Sequence, residues 1–357
     1  MTRVRSKLRW RLELLAKLVL AAGLLAWLVL SGRLQLGRLA AVPLGGELAA
    51  LAALVAGALL LPVLRWWWLL RIQGLREPLG SVLRLTWAGY FAALVLPGAA
   101  GGDLAKTYLI LRRRAQLRAR AFSTILADRF LGMHSLLCLG AVSAFWMAGH
   151  GETQAAGWAM AVATLLPLAV MTVVLAALLW PATRRILFRI LPAAWREAWD
   201  ESFALYCAGL AGVLGCFGLS LVSSMMTVAS LGVAGRLLGE AVPWDAVFLA
   251  GPLIVVANCL PITPGGIGLA EAASCELFAR LGSAGGAEMM ILTRICGALL
   301  SLPGILPLLA SPVSQSGPVP EGPGSEAAAG DPATSETPAA AAAQVPACAA
   351  RVARSNG

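Results

Sequence analysis

Charged residues are scarce in this chain, and their scarcity indicates its structural class. Only 13% of the 357 residues are Asp, Glu, Lys or Arg, whereas 59% are apolar. An ordinary soluble domain has about a quarter of its residues charged. Apolar runs here repeatedly reach the roughly 20 residues that cross a bilayer. Because strand-like alternation is also missing and backbone in lipid must bond internally, we predict an all-α, polytopic membrane helical bundle.

The sequence also lacks the patterns of metal sites, disulfide frameworks and familiar catalytic motifs. Its seven cysteines are scattered singly without a CxxC pair, and it has only two histidines. GxSxG, HExxH and Walker-type segments are absent. We therefore predict no metal, no cofactor and no enzymatic activity. A membrane-embedded catalyst that uses Asp103 or Glu271 remains an open alternative.

The net charge of +10 does not indicate a nucleic-acid partner. Lys and Arg lie in short loops between the apolar runs, and five of them precede the first run. Positive residues in short loops mark the cytoplasmic face, where anionic lipid attracts them. We therefore predict a cytoplasmic N-terminus, anionic inner-leaflet lipid as a partner and no nucleic acid.

The loop charges predict which apolar segments cross the membrane. The segments are 12–30, 48–64, 82–97, 121–148, 156–180, 203–233, 246–261, 264–283 and 286–310. The segments flanking 82–97 carry four cations (65–84) and six cations (106–120), so a full crossing would place one set outside. The positive-inside rule disfavours that arrangement. We predict about six spans plus two re-entrant hairpins, formed by 82–117 and 246–283, with eight full spans as the alternative.

This topology divides the chain into two halves with the same plan. Residues 12–148 and 156–310 each contain two spans, a hairpin and a final span, and the halves begin on opposite sides. That arrangement predicts an inverted repeat, which is common in transporters. Residues 1–310 would form the membrane domain. Residues 311–357 are rich in Ala, Pro, Gly and Ser without aromatic residues, which predicts a disordered cytoplasmic tail.

Each predicted hairpin contains a glycine- and proline-rich break followed by an acidic residue. Gly101 and Gly102 precede Asp103 and Lys106 in the first. Free backbone N–H groups at the start of a helix attract phosphate or carboxylate. Asp103 could also act as a helix cap, which is compatible with binding.

The second break and two later charged positions complete the candidate substrate-binding set. The break contributes Pro264, Gly265, Gly266, Gly268 and Glu271, and the spans contribute Asp128, Arg129 and Arg294. Ionisable residues within spans are costly and usually functional. We expect Arg129 to need an acid, either Asp103 or Glu271. For Arg294, an ion pair with Glu271 or Glu276 and a role in binding stay equally open.

Four local patterns predict how helices pack. Gly209, Gly212, Gly215 and Gly218 would allow a neighbouring helix to approach closely. Ser220, Ser223, Ser224 and Thr227 share one helix face, which could line a polar groove or bond within the bundle. Trp66–Trp68 look like an interfacial anchor, and 181–202 like a helix on the inner leaflet.

The two breaks with their flanks carry a resemblance. LPGAAGGDLAKTYLILRR, STILADRFLGM and LPITPGGIGLAEAA resemble signature segments of the lysylphosphatidylglycerol synthase transmembrane family, the flippase-like part of bacterial lipid-lysylating proteins. The matching positions are Pro97, Gly101, Gly102, Asp103, Asp128, Arg129, Pro264, Gly265, Gly266, Gly268 and Glu271. Lys106 stands where Arg is usual, which keeps the charge but loses the guanidinium fork. No soluble aminoacyl-transferase domain follows, so lysyl transfer is not expected.

The resemblance implies a lipid translocase of the bacterial cytoplasmic membrane that moves a polar, phosphate-bearing lipid between leaflets. Lys106, Arg129 and the glycine-rich amides would bind the anion, and Asp103 and Glu271 would hold those cations or contact an amine. The alternative is a non-catalytic membrane partner of a lipid- or glycan-modifying enzyme. Association of the chain with copies of itself is also open.

Overall fold

The structure is a computed structural model that describes residues 19, 22–34, 36–95, 115–150, 154–190, 193–260 and 262–310. The regular elements in these residues are all helical. They are α1 (22–30), α2 (Leu36–Ala40), α3 (Gly46–Ile72), α4 (Leu79–Val95), α5 (Ala115–His150), α6 (Gln154–Leu179), α7 (Pro181–Leu187), α8 (Ala193–Ala208), α9 (Leu210–Leu237), α10 (Trp244–Cys259), α11 (Leu269–Arg280), α12 (Gly286–Ser301) and α13 (Ile305–Ala310). The predicted tail, 311–357, lies outside the described residues.

Within the described residues, five helical segments are long and apolar enough to cross a membrane. They are Gly46–Ile72, Arg120–Met147, Trp158–Leu179, Leu210–Leu237 and Gly286–Pro307. These match five of the six predicted spans; the sixth, 12–30, is described only at residue 19 and over 22–30. Apolar side chains on α6, among them Trp158, Val162 and Leu166, are exposed along its length. Such a face suits lipid rather than water, and the prediction of a polytopic helical membrane bundle is confirmed.

Helices α3 and α9 pack together at the centre of the bundle. A Cβ atom added at Gly209, Gly212 or Gly215 would lie 3.1 Å from side-chain atoms of Ile72 or Trp68 in α3. The predicted close approach is therefore confirmed at these three glycines. Gly218 has no neighbour within 4 Å of such a Cβ and takes no part in it. Side chains of α10, α11 and α12 complete the central apolar cluster, which includes Leu51, Val228, Leu231, Val247, Ile254, Phe278 and Met289.

Three basic segments lie together at one end of the bundle. Gln73, just after α3, donates its Nε2 to the backbone O of Ser202 in α8 at 3.0 Å. Arg120, near the start of α5, pairs with Glu201 of α8 at 2.7 Å. We call residues 71–84, 115–120, 181–190 and 193–202 the basic end. Helices α4 and α5 therefore both begin at this end, as the predicted first hairpin requires; the hairpin itself remains a prediction.

The opposite end of the bundle brings together the chain segments around Arg38, Glu240 and Ser283. Helix α9 extends about 42 Å away from the basic end, given 28 residues at about 1.5 Å each. Beyond it, Arg38 donates to Glu240 Oε1 at 2.7 Å, and Ser283 Oγ donates to Glu240 Oε2 at 2.8 Å. Glu240 lies four residues before the start of α10, and Ser283 lies three residues after the end of α11. The chain from α10 to α11 is therefore a hairpin whose two ends meet.

The helix contacts are consistent with two related halves. When α3 is exchanged with α9, α4 with α10, and α5 with α12, each pair of these six helices that is in contact maps onto a pair that is also in contact. For example, α4 packs on α12 of the other half, and α10 packs on α5. The central pair, α3 with α9, maps onto itself. The inverted repeat itself remains a prediction, as does its orientation in a membrane.

Three predicted boundaries differ from the structure. The predicted segment 48–64 continues as α3 to Ile72, and Trp66 is buried with its Nε1 donating to Thr124 Oγ1 at 3.1 Å. The predicted segment 203–233 is divided at Gly209 between α8 and α9. The predicted helix over 181–202 consists of α7, a short 3-10 turn and the first part of α8. Burial and packing determine where these helices end, and the apolar runs of the sequence do not contain that information.

Candidate functional site

The second break separates α10 from α11 with three glycines in left-handed conformations. Gly265, Gly266 and Gly268 have φ angles of 60°, 69° and 83°. A side chain at Gly266 would place Cβ only 2.5 Å from the backbone O of Asn258. Left-handed backbone and close approach both favour glycine, so the sequence permits this sharp turn. Pro264 lies in the 3-10 turn that opens it.

Arg294 of α12 binds this break from the neighbouring helix. Its Nε donates to Glu271 Oε1 at 2.8 Å, its Nη1 to the backbone O of Gly265 at 2.8 Å, and its Nη2 to Asn258 Oδ1 at 2.9 Å. A single guanidinium thus joins the end of α10, the turn and the start of α11. The side chain keeps 26% of its surface exposed.

Glu271 is the buried partner of Arg294, with 1% of its side chain exposed. Its Oε2 accepts the backbone N–H of Gly268 at 2.7 Å, which caps the first turn of α11. Of the two ion pairs that the sequence left open for Arg294, the structure forms the one with Glu271. Glu276 pairs instead with Arg280 and Arg33. Both carboxylate oxygens of Glu271 have partners, and these contacts hold the start of α11 against α12.

Asp128 of α5 pairs with a residue that the sequence analysis missed. Arg65 Nε lies 2.7 Å from Asp128 Oδ1, and Arg65 Nη1 donates to Ser220 Oγ at 2.8 Å. Both charged side chains are 7% exposed. Gly132 makes room for the guanidinium, since a Cβ there would lie 3.2 Å from Nη1. The pair links α3, α5 and α9.

The assignment of Arg65 to a cytoplasmic loop was wrong. It belongs to α3, because the helix continues past Arg65 and buries it against Asp128. Asp128 was the signal in the sequence that could have revealed this pair, because a carboxylate inside an apolar helix needs a cation nearby. Without Arg65, the segment still contributes Arg71, Arg76 and Arg84 to the basic end. The excess of cations at this end of the bundle therefore persists.

The predicted hydroxyl stripe on α9 forms packing contacts. Ser223 Oγ donates to the backbone O of Ala58 in α3 at 3.2 Å, and Ser224 Oγ lies 2.8 Å from Ser135 Oγ in α5. Thr227 donates to the backbone O of Ser223 in its own helix. Three of the stripe's hydroxyls are buried, at 220, 223 and 224. These three hydroxyls therefore bond within the bundle and do not line a polar groove.

Arg129 lies beside the second hairpin. It is exposed on α5, and its charge acts on the thiol of Cys259, the last residue of α10. The structure thus brings Arg129, Arg294 and Glu271 to the same hairpin, where α10 packs on α5. The four first-break candidates, Gly101, Gly102, Asp103 and Lys106, lie outside the described residues and remain predictions.

Comparison with known proteins gives one family. No curated protein and no solved structure matches the chain. The family described as "Lysylphosphatidylglycerol synthase TM region" matches residues 14–304, a range that includes both breaks. The chain therefore belongs to this family of membrane proteins related to lipid modification or translocation.

Proposed function

We propose that this protein is a non-enzymatic lipid translocase that moves a polar, phosphate-bearing lipid between membrane leaflets. The observation that carries the proposal is the hairpin of α10 and α11, with left-handed backbone and the Glu271–Arg294 pair inside an apolar bundle. Non-helical backbone at membrane depth is tolerated where protein buries it or where it lines a polar cavity. Half-helices of this kind hold substrates in transporters built from repeats.

The charges of the hairpin suit an anionic headgroup. Arg129 is exposed beside α10, and Arg294 retains exposed surface although three of its N–H groups are engaged. Arginine binds phosphate well because its fork donates two parallel hydrogen bonds. Lys106 and the amides of Gly101 and Gly102 would add donors from the first break, and Asp103 would hold a cation or contact an amine.

The lipid tails would stay in hydrocarbon while the headgroup passes between the hairpins. The two halves would rock around this site, as inverted repeats do in transporters. The gradient of lipid itself, or an ion or proton coupled through Asp103 or Glu271, would drive movement. We place the protein in a bacterial cytoplasmic membrane, with its N-terminus at the basic, cytoplasmic end.

A reconstitution experiment tests the proposal. Vesicles would contain fluorescent phosphatidylglycerol, and an impermeant quencher would report how fast lipid leaves the protected leaflet. Wild-type protein should accelerate this exchange. Arg129→Ala and Asp103→Ala should reduce it to the rate of protein-free vesicles, because the headgroup loses its charged partners. Phosphatidylcholine and phosphatidylethanolamine probes would compare headgroups.

The matched control is Arg280→Ala, which removes an exposed arginine of α11 that pairs with Glu276. It should transport at the wild-type rate. Size-exclusion profiles should show that all variants insert and stay monodisperse. Wild-type transport by a well-inserted Arg129→Ala protein would overturn the proposal, and so would a loss of equal size in Arg280→Ala.

A scaffold for a lipid- or glycan-modifying enzyme would behave differently. Deleting 311–357 should leave reconstituted transport unchanged under our proposal, because the tail carries none of the proposed site. A scaffold would lose its effect on the partner enzyme when the tail is removed. Purified protein that converted a lipid into a new product would instead identify an enzyme.

A further inference from the structure

A polar groove lies at the basic end, away from the hairpin of α10 and α11. It is a groove of about 610 Å³ between α7 and α8. The ionisable residues that line it are Arg184, Arg185, Arg189, Arg196, Glu197 and Asp200. The groove belongs to neither break, and the proposed transport does not use it.

One of these arginines builds the groove and the others remain exposed. Arg184 Nε lies 2.5 Å from Asp200 Oδ1, and its guanidinium stacks over Phe203 at 4.8 Å. This pair ties α7 to α8 and neutralises Asp200. Arg185, Arg189 and Arg196 are exposed, as is Glu197. The exposed lining therefore has an excess of two positive charges.

The position of the groove places it at the level of lipid headgroups. The apolar span over Trp158–Leu179 ends two residues before α7 begins, and Arg184 Nη1 donates back to the carbonyl O of Leu178 at 3.2 Å. Trp180 and Ile186 beside the groove are 67% and 68% exposed. Exposed tryptophan and aliphatic side chains next to arginines are typical of the membrane interface.

We propose that the groove between α7 and α8 binds the phosphate of an anionic phospholipid in the leaflet at the basic end. Arg185, Arg189 and Arg196 bind the phosphate through charge-assisted hydrogen bonds. Trp180 and Ile186 contact the upper part of the acyl chains. These apolar neighbours select a lipid rather than free phosphate. This inference does not rest on the proposed transport function.

Photo-crosslinking in nanodiscs tests the site directly. Wild-type protein in phosphatidylcholine nanodiscs would receive a small fraction of phosphatidylglycerol that carries a photoreactive headgroup, and labelled peptides would be mapped. We expect labelling within 181–202 that decreases as salt rises. In Arg185→Gln/Arg189→Gln/Arg196→Gln it should fall about tenfold or more, since each arginine near anionic lipid strengthens binding severalfold.

A matched variant separates the groove from general surface charge. Arg71→Gln/Arg76→Gln/Arg84→Gln removes three exposed arginines from the same end, and labelling within 181–202 should stay within about twofold of wild type because the groove is intact. Arg185→Lys/Arg189→Lys/Arg196→Lys keeps the charge and should label more than the glutamine variant. If the glutamine variant folds poorly, the lysine variant is compared with wild type instead, and we expect it to label less because lysine loses the two parallel hydrogen bonds to phosphate.

Three results would overturn the assignment. Equal loss of labelling in the two glutamine variants would show that overall charge, rather than the groove, attracts the lipid. Equal labelling by a photoreactive phosphatidylcholine would remove the anionic selectivity. Displacement of the lipid probe by millimolar inorganic phosphate would identify free phosphate as the ligand.

Discussion

A buried arginine and a buried carboxylate join three helices at the centre of the bundle. Arg65 and Asp128 are 2.7 Å apart, and Ser220 accepts a second hydrogen bond from the same guanidinium. Removing one member of such a pair leaves an uncompensated charge in a medium of low dielectric constant. We predict that Arg65→Met lowers the free energy of unfolding by about 3–5 kcal/mol, seen as a large fall in the melting temperature in detergent.

The control for this substitution lies on the same helix. Arg71 is exposed near the end of α3, so Arg71→Met should change stability by less than about 1 kcal/mol. Arg65→Lys should be intermediate, since it keeps the charge but loses the fork that reaches both Asp128 and Ser220. A melting temperature for Arg65→Met equal to that of wild type would show that the pair does not stabilise the fold.

Glu240 provides a pH-dependent contact at the opposite end. Burial alone would raise the pKa of Glu240, but hydrogen bonds from Arg38, Ser283 and the backbone N–H of Gly285 outweigh burial and hold the pKa below its ordinary 4.5. With the folded pKa lowered, the unfolded chain binds the proton more readily. The stabilisation is therefore complete above the unfolded pKa and is lost as pH falls through the folded pKa.

Glu240→Gln tests this sign. The variant should melt below wild type at pH 7, and the difference between the two proteins should shrink as pH falls below 4.5. Glu276→Gln, at a half-exposed ion pair, should show a smaller difference at pH 7. A difference for Glu240→Gln that grows towards acid pH would contradict the assigned contacts.

At the scale of the element, the turn between α10 and α11 depends on glycine for two separable reasons. Gly265 and Gly266 both have positive φ, but only Gly266 faces a close backbone atom, the O of Asn258. Gly265→Ala should cost about 1–2 kcal/mol for the left-handed backbone. Gly266→Ala should cost more, because the carbonyl cannot move without disturbing the end of α10. Melting temperatures and transport by both variants measure the difference.

Gly218→Ala is the control for these glycine substitutions. It lies within α9 with no atom within 4 Å of the added Cβ, so it should leave stability unchanged or raise it by up to about 1 kcal/mol. Equal melting temperatures for Gly265→Ala and Gly266→Ala would show that the approach of Asn258 does not limit residue 266.

The sequence predicted which segments form helices better than it predicted where those helices end. Apolar runs located the cores of α3, α5, α6, α9 and α12, because a span must be continuously apolar. They could not predict that α3 continues through Arg65 to Ile72. A charged residue in the sequence indicates the end of a membrane span unless the distant residue that pairs with it is known. The division at Gly209 likewise depends on packing against Ile72.

At the scale of the whole molecule, the charges of the loops indicated which distant segments lie on the same side of the bundle. They predicted that 65–84, 106–120 and 181–202 share a side, and contacts of Gln73 and Arg120 with α8 now bring their described parts to one end. Pairings such as Arg294 with Asn258 and Gly265 were beyond the sequence. They depend on how α12 crosses the hairpin, which neither composition nor spacing determines.

The orientation of the whole bundle in the membrane is the last prediction. Single cysteines at Gln116 and Glu152, in a background without other cysteines, should be labelled from opposite sides of the membrane by an impermeant reagent. Gln116 lies at the end of the first predicted hairpin and within the basic end, which the positive-inside rule and attraction to anionic lipid predict to be cytoplasmic. It should therefore react only after the cells are opened, whereas Glu152→Cys should react in intact cells. Labelling of Gln116→Cys in intact cells would make 82–97 a full span, and the two halves would then no longer be an inverted repeat around one site.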